Sequence, residues 1–258
     1  MILNTVTWCI VVLFSVGNAQ KDPKWCDAKY ECNGAKNILC ERKVGSDQCI
    51  SLSNEPKDLL LKLHRDARNH MKRDDVTKSK GLPKACYMGT LRWDPELAEM
   101  AEWYGLSCML INGNCQKTDK FMTVARSIEV SENVTDPNEY NPIPTLTQMF
   151  GTWLESFYSA PDVTELVASY KNGSWHKGTQ IVWAGTIFIG CAMSKQHRPK
   201  EHTLVMVLIC NYAPPGNIEG KQIYETDCTK PPPDEERSVA HLLKPSIASI
   251  VLVLLLTV

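Results

Sequence analysis

The sequence has almost no net charge. Its 28 Lys and Arg stand against 29 Asp and Glu, a formal −1 at neutral pH. No run of like charges occurs, so the electrostatic footprint of a nucleic-acid-binding chain is missing. Cys-x-x-Cys does not occur, and neither do Gly-x-Ser-x-Gly, His-Glu-x-x-His or a phosphate-cradling glycine loop. These absences argue against a zinc-ribbon module, a serine hydrolase, a metalloprotease and a nucleotide enzyme. Histidine is scarce: only His64, His70, His176, His197, His202 and His241 are present. His64 and His70 flank a stretch rich in Lys and Arg, which places them on a solvated helix face. No apolar run reaches the roughly twenty residues that a membrane-spanning helix needs.

What is present is cysteine, and an apolar stretch at each end. Residues 1–20 hold an apolar run from Trp8 to Val16, followed by the small Gly17 and Ala19, the pattern of a secretory signal peptide without a basic n-region, with an uncleaved N-terminal anchor helix as the competing reading. Of eleven cysteines, Cys9 lies in that leader. The even number left suggests disulfides in an oxidising compartment, with metal binding the weaker reading. Two sequons, Asn133-Val-Thr135 and Asn172-Gly-Ser174, offer glycosylation sites. The end, Ile247–Val258, is uncharged and would rise only about 18 Å as a helix, short of a hydrocarbon core of about 30 Å. With a short spacer before it and small residues at Ser238-Val239-Ala240, it has the pattern of a signal for a GPI anchor attached near Ser238. A buried C-terminal strand is the competing reading.

Between these ends the chain divides into a cysteine-rich extension (21–55), a main domain (56–228) and a Pro-rich, charged linker (229–246), before the tail (247–258). Asn54-Glu55-Pro56 opens a helix whose face is Leu60, Leu63, Ala67 and Met71. A second helix starts at Asp94-Pro95, with Leu97, Ala101, Tyr104 and Cys108 on its buried face. A third runs from about Thr145 to Ala160 with Leu146, Met149, Trp153 and Phe157 inward, and Pro161 ends it. Thr179–Thr186, Ile187–Ser194 and Leu204–Tyr212 are rich in β-branched and apolar residues and are predicted as strands. The run LVMVLIC is apolar on both faces, as a strand covered on both sides would be. Helices first and strands later predict an α+β domain with helices packed over a sheet.

Several of these stretches resemble the CAP superfamily of cysteine-rich secretory, antigen 5 and plant pathogenesis-related proteins. CNYAPPGNI (Cys210–Ile218) is similar to one family signature, and TQIVWAGT with the following IGC to the second half of another. LRWDPELAEMAEWYGLSC is similar to the family's second helix. HRDAR (His64–Arg68) is similar to its first-helix His-Asn-x-x-Arg, with Arg65 in place of Asn. The N-terminal WCDAKYEC and NILC resemble the arthropod antigen 5 (venom allergen 5) group. The resemblance implies a three-layer α-β-α sandwich and the disulfides Cys26–Cys40, Cys32–Cys115, Cys49–Cys108 and Cys191–Cys210, which leaves Cys86 and Cys228 for a fifth.

Many members of that superfamily have a cleft with two His and two acidic residues able to hold a divalent metal. Matched position by position, this sequence has Lys177, Asn112, Arg126 and Ser156 where those four residues stand. His176 is one residue out of register with the family His, and in an extended strand that step turns a side chain to the opposite face. A bulge at Gly178 would be needed to restore it. His176 is therefore expected at the surface, near the Asn172 sequon. Two fixed positive charges in one cleft would repel a metal, so no cofactor and no acid/base chemistry are expected. The expected function is that of a secreted or surface-tethered, non-enzymatic protein that binds an extracellular protein or a cell-surface partner. It meets a membrane only through a lipid anchor. Lipid or sterol binding is an alternative by family membership alone, and hydrolysis a weaker one.

Overall fold

The computed structural model describes residues 23–42, 49–52, 57–108, 115–134, 142–198 and 203–230. The leader, the Ser238 region and the apolar end lie outside the described residues, as does Asn112.

One sheet organises the chain. Strands β4 (Phe188–Arg198) and β5 (Thr203–Ala213) form its centre, flanked by β1 (Cys49–Ser51) beside β4 and β3 (Ala125–Val134) beside β5. The order is β1-β4-β5-β3, antiparallel throughout, and the two-residue β2 (Arg92–Trp93) runs parallel to the start of β4. Alternation along β5 explains its unbroken apolar sequence. Met206, Leu208, Cys210 and Tyr212 project to one side, among Leu60, Met71, Phe150, Trp153 and Phe157. Val205, Val207 and Ile209 project to the other, onto Ala101. Each such side chain taken fully from water contributes about 1.5–3 kcal/mol.

Helices α2 (Lys57–Met71), α5 (Pro142–Tyr158) and α7 (His176–Ile181) cover the first side; α4 (Pro95–Leu106) covers the second. The result is the three-layer α-β-α sandwich. Asp94 starts α4: its Oδ1 accepts from the backbone N–H of Glu96 and Leu97, with Pro95 in the first turn. Gly190 on β4 lets α4 come close, because a Cβ there would collide with the backbone of Leu97 and Ala98. The short α3 (Asp74–Ser79) follows α2, and α6 (Val163–Ala168) is capped by Asp162, whose Oδ1 accepts from Glu165 N at 2.8 Å.

The cysteine-rich extension does more than loop. Trp25, Tyr30, Ile38 and Leu39 are buried against Leu97 and Met100, thickening the α4 layer. Its one-turn α1 (Ile38–Glu41) is capped by Asn37, and β1 joins the sheet. The disulfides are Cys26–Cys40, Cys32–Cys115, Cys49–Cys108, Cys86–Cys228 and Cys191–Cys210. The last joins directly opposed residues of β4 and β5.

Two local expectations are corrected. Thr179–Thr186 is no strand: α7 ends at Ile181 and a turn follows. Its β-branched residues are overridden by tertiary contacts. Gly178 presses α7 onto α5, where any Cβ would strike the Trp153 carbonyl. The second helix stops at Leu106, so Cys108 lies beyond it, in a positive-φ conformation.

Candidate functional site

The residues that carry the family resemblance interlock at the end of α7. Gln180 Nε2 donates to Thr186 Oγ1 at 3.0 Å, and its Oε1 accepts from Gly216 N at 2.9 Å. Thr179 Oγ1 donates to Asn217 Oδ1 at 2.7 Å, and Asn217 Nδ2 donates to the His176 carbonyl at 2.6 Å. The loop after β5 is thereby bound to both ends of α7.

Arg68 locks the same turn from α2. It is buried, and its two terminal nitrogens donate to the carbonyls of Ile181, Trp183, Gly89, Ala184 and Thr186 at 2.6–3.2 Å. A guanidinium fans its N–H groups widely enough to serve such a ring of carbonyls.

His64 overturns the solvated-face expectation. It is fully buried on α2, with Nδ1 2.7 Å from Leu60 O and Nε2 3.0 Å from Tyr212 Oη. A carbonyl only accepts, so Nδ1 carries the hydrogen and Nε2 accepts from the Tyr212 hydroxyl. Burial pushes its pKa down to about 4, and the nearby Arg68 charge adds to the effect. Leu60, His64, Ala67 and Met71 follow helical spacing, the signal that could have placed it inward. His70 is half-buried at the end of α2.

Lys177 points from α7 to the sheet, where its Nζ lies 2.7 Å from Glu129 Oε2. Trp153 Nε1 donates to that same oxygen, also at 2.7 Å. Ser156, one turn along α5, donates to the Trp153 carbonyl at 2.6 Å. Glu129 is not among the family positions matched in the sequence.

Arg126 does not join this group. Arg126 and Glu129 are three residues apart on β3, hence on opposite faces of the sheet. Arg126 Nε donates to Asn211 Oδ1 at 3.2 Å, and its guanidinium carbon sits 4.1 Å from the Tyr104 ring centroid, on the α4 side. Burial lowers its pKa to about 10, which leaves it charged at neutral pH. The expectation of Lys177 and Arg126 in one cleft is therefore corrected.

His176 is exposed at the start of α7, with Nδ1 3.0 Å from the Gly173 carbonyl. Because the segment is helical, the one-residue offset from Lys177 turns the side chain by about 100°, and no bulge at Gly178 is involved. Asn172 is exposed four residues earlier, its Oδ1 accepting from Tyr170 Oη at 3.2 Å. Asn133 falls within β3.

These residues do not fit a divalent cation. The Glu129 oxygen that would ligate already accepts from an ammonium and an indole, and neither His64 nor His176 reaches it. Among the described residues no three His, Cys, Asp or Glu side chains gather into a metal-sized group, and no helix is long and apolar enough to cross a membrane.

Comparison with known proteins agrees with the fold. Venom allergen 3 of Solenopsis invicta is 29% identical over 210 residues, covering 75% of this chain and 85% of the relative. Venom allergen 5 of Polistes dominula is 24% identical over 229 residues, covering 84% and 96%. A crystal structure of NaASP2 with Zn2+ superposes with a TM-score of 0.52 at 21% identity, over 71% of this chain and 94% of that one. The model of the CAP family, the cysteine-rich secretory protein family, matches residues 61–212, and with the sandwich and its interlocked signatures in place the chain belongs to that family.

Proposed function

We propose that this chain is an extracellular, non-enzymatic CAP protein that acts by binding a protein or cell-surface partner. The observation that carries the reading is the Lys177–Glu129–Trp153 group. An ammonium is fixed at the position where the family places a metal-binding histidine, so that point supplies neither a ligand nor a general base at neutral pH. The scaffold is retained around it: five disulfides, the Arg68 ring of carbonyls and the Gln180–Gly216 lock. A fold kept rigid without acid/base groups at this position suits recognition by surface shape and charge. Secretion, glycan attachment at Asn172 and Asn133, and a lipid anchor near Ser238 belong to the same reading.

The test is chemical cross-linking of the protein to intact cells of tissue that it contacts, followed by identification of the cross-linked partner. A saturable partner, competed by excess unlabelled protein, supports the reading. Turnover of an ester or peptide substrate by the purified protein, lost in Lys177→Met, would contradict it.

A further inference from the structure

Charge is distributed very unevenly over this near-neutral chain. Between Lys57 and Lys84 there are nine Lys and Arg against four Asp, whereas the whole sequence totals −1. Only Arg68 of the nine is buried; Lys57, Lys62, Arg65, Lys72, Arg73, Lys78, Lys80 and Lys84 are all exposed. Lys57, Lys62 and Arg65 are on α2, Lys72 and Arg73 join α2 to α3, Lys78 is on α3, and Lys80 and Lys84 follow it. Three exposed ion pairs, Lys62–Asp66, Arg73–Asp75 and Lys84–Asp74, occupy three of the four acids. Such pairs are weak and leave the excess positive charge in place. Lys72 and Lys78 form no ion pair with a described residue. Lys57 and Lys80 stand 5.7 and 5.0 Å from the Trp93 and Tyr158 ring centroids.

The chain leaves the domain beside this face. Ala85 N donates to Met71 O at 2.8 Å, at the end of α2, and the next residue, Cys86, is bonded to Cys228. Tyr87 Oη donates to Lys230 O at 2.8 Å. Cys228 and Lys230 are thereby held beside the basic face.

We propose that the α2–α3 face is a docking surface for a sulfated polysaccharide of the cell exterior. Eight exposed cations within 28 consecutive residues suit a linear polyanion read by charge density. The Trp93 and Tyr158 rings near Lys57 and Lys80 carry no charge, so they leave both ammonium charges in place. The inference rests on the extracellular reading above, but not on the lipid anchor.

The mature protein, purified from expressing cells, is passed over immobilised heparan sulfate at about 0.15 M salt, where exposed charges more than about 8 Å apart are screened. Retention is expected, falling steeply with added salt as polyanion counterions are released. The triple variant Lys72→Glu, Lys78→Glu, Lys80→Glu should bind at least ~10-fold more weakly; a control triple at exposed Lys36, Lys171 and Lys221 should change affinity less than ~2-fold. The Lys→Gln version of the first triple, with an unchanged unfolding midpoint, separates lost charge from misfolding. No retention, equal weakening in both triples, or binding to phosphatidylserine vesicles without binding to the polysaccharide would each overturn the proposal. Retention of the protein inside cells would defeat the extracellular reading instead, and leave the binding result standing.

Discussion

Lys177 on α7 and Trp153 on α5 donate to one and the same oxygen, Oε2 of Glu129, each at 2.7 Å. The ammonium and the carboxylate are 27% and 22% exposed, so their attraction is screened less than that of a surface pair. Removing one partner leaves the other half-buried charge uncompensated. Lys177→Met is expected to cost about 1–3 kcal/mol, and the double variant with Glu129→Gln to recover part of that loss. Urea unfolding of the four proteins closes the cycle. Strict additivity of the two single losses would mean that the pair has no coupling. The same contact sets the metal prediction: calorimetry at neutral pH should show no one-to-one zinc association at micromolar concentration, and tight binding lost in Glu129→Gln would reverse that reading.

His64 gives the pH dependence a definite sign. Its pKa falls from the ordinary 6.5 to about 4 in the folded chain, so the unfolded chain takes up the proton first as pH drops. Its contribution is complete above pH 6.5 and is lost progressively between about 6.5 and 4, by about 3 kcal/mol in all. Denaturant unfolding across that range, for the wild type and His64→Gln, isolates the effect. The slope of stability against pH should be shallower in the variant; parallel curves would show that His64 is not the group responsible.

Arg68 serves five carbonyls from one side chain. Substitution by Met removes all of these guanidinium donors from a buried turn, although Trp183 O still accepts from Thr186 N and Ala184 O from Gly89 N, and a loss of at least about 3 kcal/mol is expected. Arg68→Lys should recover only part, because an ammonium presents three donors from a point and not a planar fan. The thermal unfolding midpoint orders the three proteins as wild type, Lys and Met. A Lys variant equal to the wild type would show that charge alone suffices there.

The parts of this fold legible in the sequence were those decided locally. Leu146, Met149, Trp153 and Phe157 fall at helical spacing whatever surrounds them, and α5 buries all four. The apolar, β-branched run in β5 reads as a strand covered on both sides. The disulfide pairs came from resemblance, not from spacing. What escaped was decided by distant neighbours. Ile181, Val182 and Thr186 favour a strand, but α7 is helical because Gly178 meets α5 and Asn217 holds Thr179. His64 was assigned to solvent from its charged neighbours, although a helix turns Arg65 about 100° away from it. Glu129 was overlooked because the motif was read at Arg126, on the other face of β3.

The remaining prediction concerns the C-terminal end. The apolar Ile247–Val258 is too short to span a bilayer as a helix, at about 18 Å against about 30 Å. Left in place it would anchor poorly; removed in exchange for a preformed lipid near Ser238, it would leave the domain firmly attached. Between domain and attachment point would lie the Pro-rich, charged Thr229–Arg237. The Cys86–Cys228 bond would fix where that spacer departs, so that tension on the anchor is borne by a covalent link to the domain. Cells expressing the full chain are treated with a phosphatidylinositol-specific phospholipase. Release of the protein into the medium, with the apolar end missing by mass spectrometry, is the expected result. Soluble protein recovered from untreated cells with Ile247–Val258 intact would rule the anchor out, and would leave the binding function proposed for the domain untouched.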